Sequence, residues 1–400
     1  MSGFPVALLM VAIEIAALLP MATFPALLPQ FVTVWGLTNT EAGMINGVFY
    51  IGYMLAVPFL MAWTDRIDAR RILIAGLGLS ALGNLGFAAF ADGTVSAMAW
   101  RVVAGVGLAG VYMPGLRVMT DRLGQIDQSR AVTFYTANYS VGIGLSYLLA
   151  GLAEATWGWR WAAAIAGLGP LVAVAPAVLS LRPHAPPPLS GPRRLLDFRP
   201  VFANPVILAF VLAYGAHGFE LTAMRGWVTA FLETCLALLG QSATYLTPTI
   251  VAALVTVIGL PASLLGNELA LRIGRRRALM GMMIVSGVFG LGLGLLAGLP
   301  YGVVVAATLV YAVLVACDSG ALTAGVVAAS TPENRGAVLA VYSTVGFGTS
   351  FLGPFAVGVT LDAAGGAMAP GAWGFAYAVM ALGVLAGPLA LWWLAGRRAA

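Results

Sequence analysis

Between its second and third long apolar runs the chain reads Met61-Ala62-Trp63-Thr64-Asp65-Arg66-Ile67-Asp68-Ala69-Arg70-Arg71. A second basic turn between the eighth and ninth runs reads Gly266-Asn267-Glu268-Leu269-Ala270-Leu271-Arg272-Ile273-Gly274-Arg275-Arg276-Arg277. Aligning Arg66 with Arg272 gives an offset of 272 − 66 = 206 residues, and aligning Arg130 with Arg335 in two later connections gives 335 − 130 = 205. Two separate landmarks agree, so the chain is predicted to consist of two related halves.

The composition excludes an ordinary soluble domain. Of the 400 residues, 60% are hydrophobic and only 9% are charged, and the mean hydropathy is +0.95. Charged residues make up about a quarter of a typical soluble globular protein. The chain is therefore predicted to be a polytopic membrane protein whose principal partner is the lipid bilayer.

Polar and Pro/Gly-rich breaks divide the chain into long apolar runs. The runs are 6–30, 43–63, 72–91, 95–116, 132–154, 160–181, 203–231, 245–266, 278–298, 301–328, 337–361 and 372–395. Each reaches the ~20 residues that an α-helix needs to cross a bilayer, and none alternates as barrel strands do. The predicted fold is all-α, with twelve transmembrane helices. The first run carries Glu14 and has no basic start, so we interpret it as a retained helix rather than a signal peptide.

The basic residues predict the topology. All twenty are Arg, and seventeen lie in alternate connections or near the C-terminus: Arg66, Arg70, Arg71, Arg117, Arg122, Arg130, Arg182, Arg193, Arg194, Arg199, Arg272, Arg275, Arg276, Arg277, Arg335, Arg397 and Arg398. By the positive-inside rule, those connections and both termini are cytoplasmic. We therefore expect a multi-pass protein of the cell inner membrane. Because topology accounts for the basic charge, no nucleic-acid partner is expected.

The stretch 61–71 resembles the cytoplasmic signature of the major facilitator superfamily, usually G-x-L-x-D-R-x-G-R-R. The residues that match it, or lie in its second copy, are Asp65, Arg66, Arg70, Arg71, Arg272, Arg275 and Arg276. The resemblance implies a transporter of the 12-helix type, in which these residues form gating loops. It also implies two pseudo-symmetric six-helix bundles that alternate access to a central site. We place the bundles at 1–181 and 203–400, joined by a Pro/Arg-rich cytoplasmic linker at 182–202.

Five charged residues lie inside the predicted spans, where charge is costly and is a functional hypothesis by default. They are Glu14, Arg101, Glu220, Arg225 and Asp318. Adding the offset of 206 to Glu14 gives 220, so the two glutamates are expected at equivalent positions. In the family that the chain resembles, spans one, four, seven and ten line the central cavity, and all five charges lie in those spans.

Burial makes the charged form of a carboxylate costly, so a buried acid can take up and release a proton as its exposure changes. We favour Glu220 as the coupling acid, with His217 one helical turn away to share the proton. Glu14 and Asp318 are candidates for the same role or for binding a cationic group. The alternative is that such groups only hold helices together, as in a pair between Glu220 and Arg225.

The two arginines in the predicted spans, Arg101 and Arg225, are candidates for binding an anionic group, because a guanidinium pairs well with a carboxylate or phosphate. The surroundings of Arg101 resemble the R-x-x-x-G-x-G pattern of the superfamily's fourth helix, which implies a part in proton coupling. Further polar and aromatic walls of the cavity are predicted at Tyr214, Thr222, Trp227 and Tyr311.

The chain contains no Lys, so it lacks a Walker-type ATP site and transport must use a gradient. We expect a secondary transporter, acting as a monomer without a cofactor, that moves a small polar organic solute, anionic or zwitterionic, together with protons. Efflux of lipophilic or cationic drugs is an alternative. Metal-ion transport through His217, Glu220, Asp318 and Cys317 is a remote one. An enzyme is not expected, because the only histidines, His184 and His217, form no triad or Cys/His spacing.

Overall fold

The computed structural model describes residues 4–123, 125–184, 198–243, 245–331 and 335–396, which contain helices and no β-strand. The first helices are α1 (Phe4–Leu18), α2 (Thr23–Ala26), α3 (Leu28–Trp35), α4 (Asn39–Trp63), α5 (Ala69–Phe90), α6 (Thr94–Thr120), α7 (Gln125–Trp157), α8 (Trp159–Ser180) and α9 (Arg199–Ala203). The later helices are α10 (Pro205–Leu238), α11 (Pro248–Val257), α12 (Gly259–Ile273), α13 (Arg275–Leu293), α14 (Tyr301–Ala316), α15 (Ser319–Ala329), α16 (Arg335–Ala363) and α17 (Ala372–Gly396). The all-α prediction is confirmed.

Within the described residues, ten helical segments are long and apolar enough to cross a membrane, and Pro5–Leu18 is a shorter apolar helix. A chain of such segments satisfies its backbone hydrogen bonds internally, as a membrane span must. The number of twelve spans remains a prediction. Most of the linker predicted at 182–202, including Arg193 and Arg194, lies outside the described residues, as do Arg397 and Arg398.

The chain forms two compact units. Unit 1 comprises Met1–Leu27 and Val48–Leu195, and unit 2 comprises Leu28–Gly47 and Leu196–Ala400. In unit 1, α5 packs against α6 and α8. A Cβ atom added to Gly76 would lie 2.7 Å from the carbonyl carbon of Gly110, so α5 and α6 approach backbone to backbone. Such small-residue seams are usual where helices pack in a membrane.

Unit 2 is built around α10, which packs against α14, α15, α16 and α17. The helix begins after Asn204, whose side chain accepts hydrogen bonds from the amides of Val206 and Ile207. Pro205 occupies its first turn, where a missing amide N–H costs nothing. Because α10 is surrounded on most sides, its polar side chains must find their partners inside unit 2.

Three spans that the hydropathy predicted as single helices are interrupted. The first stops at Leu18 and resumes as α2 and α3, in a stretch containing Pro20. The eighth is divided between α11 and α12, where Pro261 lies in the first turn of α12. The tenth stops at Ala316 and resumes at Ser319, so Asp318 lies at the junction. Proline removes a backbone donor and clashes with the preceding turn, which accounts for the first two interruptions.

The junction in the tenth span is closely covered by α12. Gly266 lies directly against the carbonyl of Cys317, and a Cβ atom on Gly266 would overlap that oxygen. The absence of a side chain at Gly266 therefore allows the junction, and with it Asp318, to sit close to α12.

We predict that Gly266→Ala destabilises the protein by about 1–3 kcal/mol, the usual cost of overpacking a well-packed interior. The measurement is the thermal unfolding midpoint of the purified protein in detergent. Gly281→Ala is the matched control, because a Cβ atom there meets no atom within 4 Å. Equal midpoints for the two variants would contradict the prediction.

Candidate functional site

A buried contact between a histidine and an aspartate joins α10 to the junction in the tenth span. His217 Nδ1 lies 2.6 Å from Asp318 Oδ1, and both side chains are almost fully buried. The sequence placed both residues in the candidate site, but it did not pair them. The pairing depends on how α10 packs against α14 and α15, which no local pattern encodes.

Aromatic rings cover the His217 side of this pair. Tyr214 stacks against His217 with ring centroids 5.9 Å apart, and Tyr342 of α16 stacks on Tyr214 at 3.8 Å. The hydroxyl of Tyr342 lies 3.0 Å from that of Thr323 on α15. Tyr214 was predicted as part of an aromatic wall, whereas Tyr342 was not singled out. The stack fixes the plane of the imidazole ring.

Glu220 is fully buried and bound by two hydroxyl groups. Its Oε1 atom accepts hydrogen bonds from Ser286 Oγ of α13 at 2.6 Å and from Tyr311 Oη of α14 at 2.8 Å. Its Oε2 atom is buried and has no hydrogen-bond partner among the described residues. The carboxyl group therefore has one occupied and one unoccupied oxygen.

The other residues predicted on α10 have different surroundings. Thr222 Oγ1 donates to the carbonyl of Gly218 at 2.6 Å, and Trp227 Nε1 donates to the carbonyl of Pro354 at 2.9 Å. These two residues therefore bond to main-chain carbonyls. Arg225 is half-buried and lies close enough to His217 for their charges to interact.

In unit 1, Glu14 is 1% exposed, and neither carboxyl oxygen has a hydrogen-bond partner among the described residues. The Tyr135 hydroxyl lies within electrostatic range of Glu14. The Tyr135 ring stacks on Tyr112, whose ring lies 5.0 Å from that of Tyr139. Glu14 is thus a buried acid beside a cluster of tyrosines. Glu220 accepts hydrogen bonds from two hydroxyl groups, here called the hydroxyl clamp, and Glu14 has no such contact among the described residues.

Arg101 is also buried in unit 1. Its Nη1 atom donates to the carbonyl of Met21 at 3.4 Å, and its guanidinium lies 4.7 Å from the ring centre of Phe49 and 5.8 Å from that of Phe24. Arg101 also borders a cavity of about 10 Å³, roughly the space that one water molecule requires. Cation–π contacts of this kind stabilise a desolvated guanidinium.

The first signature loop is held by ionic contacts. Asp65 Oδ1 lies 2.7 Å from Arg117 Nη1 of α6, and Asp121 Oδ2 lies 3.5 Å from Nε of the same guanidinium. Asp68 caps α5 by accepting from the amide of Arg70. Arg66 and Arg71 are exposed. The loop thereby ties the ends of α4, α5 and α6 together.

The two signature loops share one contact. Arg70 donates through Nε and Nη2 to the carbonyls of Ala177 and Val178, near the end of α8. Arg276, 206 positions later, donates through the same two atoms to the carbonyls of Leu391 and Trp392, near the end of α17. The repeated contact supports the predicted duplication.

The second loop lacks the acid of the first, because Leu271 occupies its place. Arg272 pairs with Glu268 at 3.1 Å in an exposed contact. Arg275 and Arg276 line an open cavity of about 480 Å³. Neither loop contains a metal-like cluster: in the part of the chain that the structure describes, no three His, Cys, Asp or Glu side chains are grouped to hold a metal ion.

Comparisons with known proteins agree on the fold. The crystal structure of a bacterial homologue of the human lysosomal transporter Spinster, in an inward-facing and unoccupied conformation, superposes with a TM-score of 0.77. It covers 96% of this chain and 94% of that one at 16% sequence identity. At this identity the likeness shows the fold alone.

The sequence relatives match over shorter parts of the chain than this structure does. Human protein spinster homolog 1 is 26% identical over 233 residues, which are 55% of this chain and 44% of the relative, so the match spans less than half of that protein. Multidrug resistance protein 2 of Bacillus subtilis is 23% identical over 279 residues, 65% of this chain and 66% of the relative.

The family is shown by its own model. The sequence model of the Major Facilitator Superfamily matches residues 9–354, nearly the whole chain. The resemblance of the signature stretch is thereby confirmed. The chain belongs to the major facilitator superfamily, a family of membrane transporters, and it is a multi-pass membrane protein.

Proposed function

We propose that the protein is a proton-coupled secondary transporter that moves a small polar organic solute, anionic or zwitterionic, by alternating access. The observation that carries the proposal is the set of titratable groups buried in unit 2: the His217–Asp318 pair at 2.6 Å and Glu220 one turn away on α10. Histidine exchanges protons near neutral pH, and a carboxyl group can do so when it is buried. In transporters, buried ionisable residues commonly form such relays.

Protonation of these groups can influence helix packing. His217 and Glu220 share α10, whereas their partners belong to the junction at Asp318, to α13 and to α14. Adding or removing a proton changes the strength of buried electrostatic contacts more than it would in water. A proton taken up here therefore alters the contacts between α10 and three neighbouring elements, which is the requirement for coupling a proton to a conformational change.

The substrate class follows from the charges of both signs in the two units. Arg101 and Arg225 are suited to an anionic group, and Glu14 is suited to a cationic one. Groups of both signs in the spans favour a zwitterion or an anion over a sugar. The distribution of Arg further supports a cell inner-membrane location with both termini cytoplasmic, and we propose a monomer.

Efflux of lipophilic cations is a second candidate function. Two observations favour it: the match to Multidrug resistance protein 2 over 65% of the chain, and the buried Glu14 beside the tyrosine cluster of α6 and α7. A carboxylate together with aromatic faces is a recurring arrangement for organic cations.

We predict that Glu220→Gln abolishes uptake driven by a pH gradient in proteoliposomes while it leaves counterflow exchange intact. Glutamine keeps the shape and the hydrogen-bond acceptor but cannot carry the proton. The probes are labelled amino acids and organic acids that show saturable exchange by the wild type. Glu268→Gln, at an exposed pair with Arg272, is the control and should transport normally. Uphill uptake by Glu220→Gln would remove Glu220 from the coupling role.

The two candidate functions predict different ligands. In a thermal-shift screen, a ligand that binds the folded state at about 100 times its Kd adds about 2.7 kcal/mol of stability. We expect stabilisation by small anionic or zwitterionic solutes, dependent on pH and altered in Glu220→Gln. Stabilisation only by lipophilic cations such as ethidium or tetraphenylphosphonium, lost in Glu14→Gln, would instead establish the efflux function.

We predict that Asp65→Asn slows exchange by about tenfold with little change in ligand affinity. The substitution weakens a charge-assisted contact to Arg117, and such contacts contribute more than neutral hydrogen bonds. Exchange rates in proteoliposomes and thermal-shift titrations check the two quantities. Asp121→Asn, at the longer contact to the same guanidinium, should have a smaller effect. A large loss of affinity in Asp65→Asn would show that the loop contributes to binding.

A further inference from the structure

The two glutamates related by the duplication have different surroundings. Subtracting the offset of 206 from Ser286 and Tyr311 gives Ser80 and Gly105 in the first half. The serine is therefore repeated, but Tyr311 corresponds to a glycine. Neither oxygen of Glu14 has a hydrogen-bond partner among the described residues. The clamp on Glu220 is thus a property of the second half and not a general requirement of the fold.

The position of Tyr311 is built by its neighbours. Its ring stacks on Phe289 at a centroid distance of 6.3 Å and meets Tyr377 edge-on at 5.8 Å. A Cβ atom on Gly290 would lie 3.1 Å from both Cε2 and Oη of Tyr311. Gly290 therefore leaves the space in which the ring lies. Ser286 is one turn before Gly290 on α13, so this helix supplies one donor and the room for the other.

The two hydroxyl groups occupy only one oxygen of the carboxyl group. Ser286 Oγ and Tyr311 Oη both donate to Oε1, at 2.6 and 2.8 Å. A carbonyl oxygen has two lone pairs and accepts two such bonds. A proton on Oε1 would have to displace at least one of these donors, whereas Oε2 is free of hydrogen bonds from the described residues.

We propose that Ser286 and Tyr311 are positioning residues that hold Oε1 of Glu220 as the acceptor, so that the transported proton binds at Oε2. In the neutral carboxyl group the double bond lies between carbon and Oε1, and the O–H bond is formed at Oε2. The proposal rests on the proposed function, in which Glu220 exchanges a proton.

Other charged and titratable groups near Glu220 belong to several elements. His217 is on α10, Asp318 is at the junction of α14 and α15, and both interact electrostatically with Glu220. Arg225 interacts with His217 in turn, and Tyr377 of α17 lies beside Tyr311. Substitutions of Ser286 and Tyr311 change none of these charges, so they test the donors alone.

The test is infrared spectroscopy of the purified, full-length protein titrated between about pH 4 and 10, a range that spans shifted and unshifted carboxyl groups. The C=O stretching band of protonated Glu220 is identified by its loss in Glu220→Gln. With the proton on Oε2, the C=O double bond is formed to Oε1, the oxygen that accepts both hydroxyl hydrogen bonds. Removing either hydrogen bond strengthens the C=O bond. Tyr311→Phe and Ser286→Ala should each shift the band to higher frequency, and the double variant should shift it further.

Matched controls separate this effect from general damage. Tyr377→Phe removes a hydroxyl beside Tyr311, and Ser350→Ala removes one bonded to the carbonyl of Gly346 on α16. Both should leave the band in place. Gly290→Ala should shift it in the same direction as Tyr311→Phe by displacing the ring, although the hydroxyl is still present.

The outcomes distinguish the positioning role from the proposed function. If Glu220→Gln removes no band at any pH, Glu220 takes up no proton, and its coupling role fails together with this inference. If the band exists but keeps its frequency in Tyr311→Phe and Ser286→Ala, the proton is on Oε1 or the hydroxyl groups do not bind it, and the positioning role alone is overturned. A shift in both variants, absent from the two controls, supports the proposal.

Discussion

An ionisable side chain inside a membrane protein must have its interactions supplied by the protein, because the surrounding hydrocarbon supplies none. This constraint governs unit 2. His217 meets Asp318, and Glu220 meets Ser286 and Tyr311. Each contact joins α10 to a neighbouring element, and α10 carries more of the buried polar side chains than any other described helix. It is also the helix around which the unit packs. The contacts with Tyr311 and Asp318 are made by α14 and by its junction with α15, and both of these helices also pack against α10.

The interrupted spans place chemistry where a regular helix would not. Asp318 lies between α14 and α15, and the close approach of Gly266 to Cys317 holds that junction against α12. Interrupted helices near the middle of the bilayer are a recurring feature of secondary transporters, in which they expose backbone groups and side chains to the transported species. The His217–Asp318 contact therefore joins a continuous helix to an interrupted one.

The duplication was retained in some contacts and lost in others. Arg70 and Arg276 use the same two nitrogen atoms to bind carbonyls near the ends of α8 and α17. The buried acids differ, since Glu220 is clamped by hydroxyl groups and Glu14 is not. Contacts that close the end of a helix serve any helical bundle, whereas contacts to a buried acid depend on what that acid does. The two halves thus share a contact at the end of a helix but differ in the surroundings of their buried acids.

The sequence by itself determined the membrane class, the helical fold, the family signature and the identity of the buried charged residues. These follow from hydropathy, from the placement of Arg and from a repeat offset, all of which are local or one-dimensional properties. Only the tertiary structure decided the partners and the interruptions of the spans. Ser286 and Tyr311 lie 66 and 91 positions from Glu220, and a hydrophobic span does not reveal which of its faces meets which neighbour. The partners of each buried group depend on the rotation and register of the packed helices, which side-chain shapes along their full length determine.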